Sequence, residues 1–216
     1  MSTLTALQWR HSLKHFSEKE VPNTLVHNLV EAARLSASSY GLQPFQVIVV
    51  HNKALQQTLS TQAYGQPQVS ECSHLIILAN KTEIDEQLVE QYFERLYHQT
   101  NQAVGSLDGY SDHIKSAISA KSSAERLTWA QQQAYIALGS LLSEAAMLGI
   151  DACPMTGFDQ AGFNRTLGLS DQQLNACVIC AVGYRRDQDI MPTKVRTPME
   201  EFAQYIVPKL SESQNY

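Results

Sequence analysis

The sequence predicts one domain built on a single β-sheet with intermixed helices, α+β or α/β in class. Three observations carry this. Short β-branched runs ("FQVIVV", "HLIILAN", "ACVICAVGY") read as buried strands. They are separated by longer segments of helical period. No linker, repeat or break in composition divides the 216 residues, and a hydrophobic content of 44% can fill a sizeable core.

Each element follows in order. Residues 23–35, "NTLVHNLVEAARL", form an amphipathic helix with Leu25, Leu29 and Ala32 at helical spacing and Val26, Val30 and Ala33 beside them. Pro22 precedes it and Asn23 is the expected cap. "SASSYGLQP", 36–44, breaks the period. A strand over 45–50 and a short surface helix over 53–63 come next. "AYGQPQVSECS", 63–73, reads as a loop around Gly65 and Pro67. A second strand spans 74–80 and a charged amphipathic helix spans 83–98. Residues 100–124 are polar and rich in Ser and Gly, and no element is assigned there.

Residues 129–149 give the strongest helix pattern. Glu144 is the only charge in this segment, so the helix is buried on most sides. Gly149 marks its stop. Ala134, Ala137, Gly139, Ser140 and Ala145 suit close approach by another helix, which fits a central helix or a subunit interface. "IDACP" follows as a strand, then a short helix over 159–168 and a last strand over 176–184.

Composition excludes several function classes. The formal net charge of -5 gives no general attraction to nucleic acid or to anionic membranes. No transmembrane span is visible. "MSTLTALQWR" lacks the basic and apolar regions of a signal peptide, so the expected location is the cytoplasm. Cys177 and Cys180 form a C-x-x-C inside a strand, where i and i+3 point to opposite faces, so both read as buried strand cysteines. His11 and His15 are the only i, i+4 histidine pair, with no third ligand near in sequence, so no metal is expected. No G-x-G-x-x-G occurs. "GFDQAGFN" carries Phe163 and Asn164 where a P-loop needs Lys and Ser or Thr. H-E-x-x-H and G-x-S-x-G are also missing.

Four segments remain as candidates for chemistry. In "WRHSLKHF" an extended backbone puts Arg10, Ser12 and Lys14 on one face, with His11 on the other. Arg offers a planar fork, Ser a hydroxyl and Lys a point charge to an anion. An ordinary solvated face fits these residues equally well. "PTKVRTP" places Lys194 and Arg196 two apart between prolines, again in extended context. A dianionic phosphate needs more than one cation to offset its desolvation, so the two basic pairs are suited to meet on one. "SASSYGLQP" offers hydroxyls and close backbone approach at Gly41. "CPMTGF", 153–158, ends a strand in a turn whose N–H groups can face a ligand.

Taken together these segments resemble the nitroreductase family of FMN-dependent oxidoreductases. "RHSLKHF" is similar to that family's R-x-S-x-K-x-F start. "EAARLSASSYGLQPFQVIVV" is similar to its helix, P-S-S-x-N-x-Q-P-W loop and strand. "GIDACPMTGFD" resembles its G-hydrophobic-x-x-x-P-(M/I)-E-G-F-D turn, and "VGYRRDQD" with "PTKVR" its closing strand and basic tail. "YGQPQVSECSHLIILANK" and "WAQQQAYIALGSLL" look especially like the flavin reductase and oxygen-insensitive nitroreductase branch. The similarity runs from residue 8 to 206 in the family's order.

The resemblance implies an α+β nitroreductase-like fold over residues 1–216, with a central mixed, mostly antiparallel sheet flanked by helices in an intertwined homodimer. It implies that Arg10, Ser12, Lys194 and Arg196 hold the FMN phosphate, with His11 beside them and Lys14 near the flavin N1. Ala37, Ser38, Ser39 and Gly41 would come from the other subunit. Gln66 and Gln68 would meet the pyrimidine edge, and Pro154, Met155, Thr156 and Gly157 would run beside the ring. The implied activity is ping-pong reduction of nitroaromatics, quinones or free flavin with NAD(P)H as co-substrate, the cofactor carrying the chemistry without a catalytic side chain. Other chemistry on the same fold (reductive dehalogenation or flavin fragmentation, with a lid at 100–124) and a non-catalytic FMN carrier are the alternatives. Gly41, Gly65 and Thr156 depart from the family's usual Asn, Asn and Glu, and Phe45 from its Trp.

Overall fold

The structure is a computed structural model that describes residues 2–206. Four strands make one sheet: β1 (Phe45–Val50), β2 (His74–Lys81), β3 (Asp151–Met155) and β4 (Leu174–Gly183). Their order is β1-β2-β4-β3, and all three pairings are antiparallel, so no parallel pair occurs among the described residues. β2 and β4 are central and almost wholly buried, which is why they read as continuous apolar runs.

Nine helices surround the sheet among the described residues: α1 (Thr3–Trp9), α2 (Asn23–Arg34), α3 (Lys53–Gln62), α4 (Pro67–Glu71), α5 (Glu86–Thr100), α6 (Asp108–Ser119), α7 (Ser123–Met147), α8 (Gln160–Leu167) and α9 (Met199–Phe202). On one sheet face, Val26 and Leu29 of α2 and Ala134, Ala137, Leu138 and Leu141 of α7 pack over Ile76, Leu78, Val178 and Val182. On the other, Leu59 of α3, Val69 of α4 and Phe163 of α8 cover Leu75, Ile77, Ile179 and Ala181. A third cluster joins α5 and α6 to the start of α7 through Leu88, Phe93, Ile114, Ile118 and Ala130. No helix among the described residues is long and apolar enough to cross a membrane.

Several expectations are corrected. Asn23 does not cap α2: Pro22 is the N-cap, and the Asn23 Oδ1 instead lies 3.3 Å from the His74 Nε2. The 63–73 loop contains α4, started by Pro67 at a position where its missing N–H costs nothing. The 100–124 stretch holds α6, whose Ser111, Ile114 and Ile118 form one buried face. α7 starts six residues earlier than its apolar pattern, because Ser122 and Glu125 close a reciprocal capping box. α1 and α9 have no counterpart in the sequence reading.

Cys177 and Cys180 do not point to opposite faces. The pairing of β4 with β2 shifts between Leu78 and Ala79, leaving Cys177 without a partner, so a bulge resets the alternation. Both thiols therefore pack on the α7 side. Burial pushes the Cys177 thiol up to about 11 and the Cys180 thiol up as well, so neither is a ready thiolate.

Candidate functional site

β3 is an edge strand, and the polypeptide before α2 runs beside it. The Arg10 Nη2 donates to the Ala152 carbonyl at 3.1 Å, satisfying an edge-strand acceptor, and to the Ser12 Oγ at 3.1 Å. Arg10 and Ser12 thus act together, as an extended backbone requires. The Arg10 Nε is buried and has no partner among the described residues. Lys14 is exposed, and its charge with that of Arg10 opposes the burial that raises the Cys153 thiol, which places both cations beside β3.

The tail returns to the same place. The Lys194 Nζ donates to the carbonyls of Leu7, Gln8 and Arg10 at 2.7, 2.8 and 2.6 Å, closing the C-terminal end of α1. The His11 ring nitrogens lie 3.0 Å from the Trp9 carbonyl and 3.1 Å from that of Pro192, so the ring ties the tail to the end of α1. Among the described residues Arg196 donates only to the Val195 carbonyl beside it, at 2.6 Å. Burial, then Arg10 and Arg196, lower the Lys194 ammonium. Arg10, Lys14, Lys194 and Arg196 make no ion pair with a carboxylate among the described residues. Lys194, from one end of the chain, thus lies against Arg10 from the other, with Arg196 close by.

At the far end of β3 the 154–157 turn meets the loop before α4. The Gln66 Nε2 donates to the Gly157 carbonyl at 2.7 Å, and its Oε1 accepts from the Gln68 Nε2 at 3.2 Å. The Gln68 Oε1 is buried without a partner. Pro154 is half-buried, Met155 is buried, and Thr156 and Gly157 are exposed.

The 37–41 segment sits elsewhere. Its Ser39 N–H donates to the Gln133 Oε1 of α7 at 2.8 Å, and the Ser38 Oγ accepts from the Gln43 N–H. Ala37 is exposed. No hydrogen bond joins this segment to the basic cluster or to the glutamines among the described residues. Gly41 has φ +72°, and a Cβ there would meet the Tyr92 ring at 3.0 Å. Tyr92 thus takes the space an Asn would need. At Gly65, φ is +70° and the space is open.

Sequence reasoning missed the scaffold under Arg10. Asp151, at the start of β3, is 1% exposed and accepts from the Arg185 Nε and Nη2 at 3.0 and 2.7 Å. The same guanidinium stacks on Trp9, 4.2 Å from the ring centre. This fixes the end of α1 against β3 and so aims Arg10. No local pattern announces it, since the partners are far apart in sequence.

The nitroreductase family model matches residues 7–184. A relative from Staphylococcus haemolyticus, named "Putative NAD(P)H nitroreductase", is 29% identical over 94% of this chain and 96% of its own. The crystal structure of ydfN from Bacillus subtilis, described as a "putative nitroreductase", superposes with a TM-score of 0.85 at 21% identity, covering 94% of this chain and 98% of that one. A structure from Exiguobacterium sibiricum, described as a "putative nitroreductase in complex with FMN", gives a TM-score of 0.82 at 17% identity over 95% of this chain and 97% of that one. The family model spans all four strands and the segment that carries Arg10, Ser12 and Lys14, and the chain belongs to the nitroreductase family.

Proposed function

We propose that this chain is an FMN-dependent oxidoreductase of one domain over 1–216, which uses NAD(P)H to reduce nitroaromatics, quinones or free flavin. The observation that carries this is a group of cations without a carboxylate partner among the described residues, Arg10 and Lys14 beside one edge strand and Lys194 and Arg196 close to Arg10. Like charges so gathered favour a dianion such as the FMN phosphate. The residues fit the cofactor on two further counts. The Arg10 Nε and the Gln68 Oε1 are buried without partners, one a donor beside the phosphate cluster, the other an acceptor beside the turn. Buried polar groups left unpaired in the free protein suit a polar ligand.

In this reading Arg10, Ser12 and Arg196 hold the phosphate, Lys194 adds its charge beside it while its three N–H groups stay on the carbonyls ending α1, and the His11 ring keeps the tail in place. Lys14 sets positive charge at the flavin ring, favouring its reduced, anionic form. Gln66 and Gln68 orient the pyrimidine edge, and Pro154, Met155, Thr156 and Gly157 line the ring. FMN when bound supplies the hydride chemistry at N5 that alternates between NAD(P)H and the acceptor. The protein provides binding, orientation and charge. Thr156 brings no charge to the turn, so the acceptor meets a neutral surface there.

The working unit is a homodimer on this reading. Among the described residues Ala37, Ser38, Ser39 and Gly41 make no bond to their own chain's clusters, and on this reading they reach a flavin across a subunit interface. Tyr135, Ile136 and Met147 along α7 and Val195, Met199 and Phe202 in the tail are large apolar side chains left exposed, as an interface requires. Purified protein that is yellow and oxidises NADH or NADPH steadily with menadione meets the proposal. A colourless preparation that takes up no FMN overturns it.

A further inference from the structure

The turn after β3 leaves a backbone donor unused. The Phe158 N–H donates to the Thr156 carbonyl at 3.1 Å, and the Asp159 N–H to the Gln62 carbonyl at 2.7 Å. The N–H of Gly157 makes no hydrogen bond among the described residues, and Thr156 and Gly157 are exposed.

A side chain decides where that donor points. The peptides are trans, so the N–H and C=O of each point in opposite directions. The Phe158 N–H shares its peptide with the Gly157 carbonyl, which the Gln66 Nε2 holds at 2.7 Å. This turns the Phe158 N–H onto the Thr156 carbonyl. That carbonyl shares its peptide with the Gly157 N–H, which is thereby directed away from the turn. Gln66 thus sets two peptide planes in succession.

Gln66 is held from behind. Its Nε2 also donates to the Ala63 carbonyl at 3.0 Å, and its Oε1 accepts at 3.2 Å from the Nε2 of Gln68, which is 1% exposed. Two carbonyls and one amide donor permit a single orientation of the Gln66 amide. Its backbone is fixed by the end of α3: the Gly65 N–H donates to the Ser60 carbonyl at 2.9 Å, and the Ser60 hydroxyl to the Gln66 carbonyl at 3.2 Å. The chain enters this bend through Tyr64 at φ +57°, a left-handed value uncommon for a bulky residue. Strain of this kind persists where the surroundings impose it, and it clusters at functional sites. The Gln66–Gly157 contact is itself exposed, so water would serve the carbonyl as well and the bond adds little to folding. Its contribution is orientation.

We propose that Gln66 is a positioning residue, locked by Gln68, that aims the Gly157 N–H at the flavin ring. The inference rests on the FMN reading above. A donor aimed at acceptor atoms of the ring binds more strongly as reduction brings negative charge onto them. Gln66 therefore favours the reduced cofactor by acting through Gly157.

The test is the two-electron midpoint potential of bound FMN. Gln66→Leu lowers the preference for reduced over oxidised FMN about three- to tenfold, a fall of about 15 to 30 mV. Gln68→Met shifts the potential the same way, and the double variant falls no further than Gln66→Leu, since both act through one contact. A purely structural role would weaken both forms of FMN alike and leave the potential unmoved. A change under about threefold in Gln66→Leu, or a rise, overturns the proposal. So do additive shifts in the double variant. In those cases the parent still binds FMN and the wider reading stands. A parent protein that takes up no FMN overturns both.

Discussion

The ammonium of Lys194 donates to the carbonyl oxygen of Arg10 at 2.6 Å, joining residues 184 positions apart. That contact closes α1, anchors the tail and brings the two basic segments of the chain to one place. It also separates two roles that the residue types alone left merged. Lys194 is held by three carbonyls, whereas among the described residues Arg196 bonds only its own neighbour.

Arg196 is therefore the cation freest to serve a phosphate. Arg196→Ala weakens FMN about ten- to a hundredfold, the worth of one or two charge-assisted hydrogen bonds, and leaves riboflavin binding unchanged. Gln68→Met removes the orphaned buried acceptor near the turn and weakens FMN and riboflavin alike. Fluorescence titration with both ligands separates the two effects. Equal losses for the two ligands in Arg196→Ala would show that this residue does not serve the phosphate.

Lys194 carries stability of its own. Lys194→Met leaves three carbonyls at the end of α1 unmatched and lowers the stability of the flavin-free protein by about 1–2 kcal/mol. Arg196→Ala stays within about 0.5 kcal/mol of the parent. Urea denaturation of the flavin-free proteins measures both, and equal midpoints for the two variants would refute the capping role.

Asp151 and Arg185 form the charged support beneath the site. Arg185→Ala takes the cation from a carboxylate that is 1% exposed, leaving it the backbone N–H of residue 185 at 3.0 Å, and costs about 3 kcal/mol. Asp151→Asn in addition recovers part of that loss, because the stranded charge is gone. A double-mutant cycle by urea denaturation gives the coupling, and additive losses would mean the pair is not a unit.

His74 makes stability fall in acid. Burial, and then the charge of the stacked His51, hold its folded-state value down to about 4, against an ordinary 6.5. The unfolded chain therefore takes up a proton below 6.5 that the folded chain refuses until about 4. Stability from this group is whole above that window and drains away as pH falls through it. Between about pH 7.5 and 5 the protein loses about 2 kcal/mol more than His74→Gln does. Denaturation curves at the two pH values test this, and parallel losses in protein and variant would contradict it.

The strands and the main helices were legible because each has its own period or apolar run. "FQVIVV" matches β1 residue for residue, and Gly149 does follow the end of α7 with φ +69°. α6 was not legible, because Gly109 and its many polar residues mask a face that only α5 reveals. The bulge at Cys177 was not legible either, since one extra residue in a strand changes no local pattern, only the register against β2.

The candidate site divides the same way. The residue types needed to bind an anion stand in "RHSLK" and "KVR", and spacing alone places Arg10 with Ser12. Local pattern alone identifies the strands, the main helices α2, α5 and α7 and the inventory of cations. Only tertiary structure decided which cation is spent and which is free. Lys194 and Arg196 differ by two positions in an extended tail, yet one turns into the carbonyls ending α1 and the other does not. That choice depends on where α1 ends in space, and α1 is placed by Trp9 against Arg185 and Arg185 against Asp151. Such contacts cross the whole chain, and a distant partner leaves no mark on the local pattern.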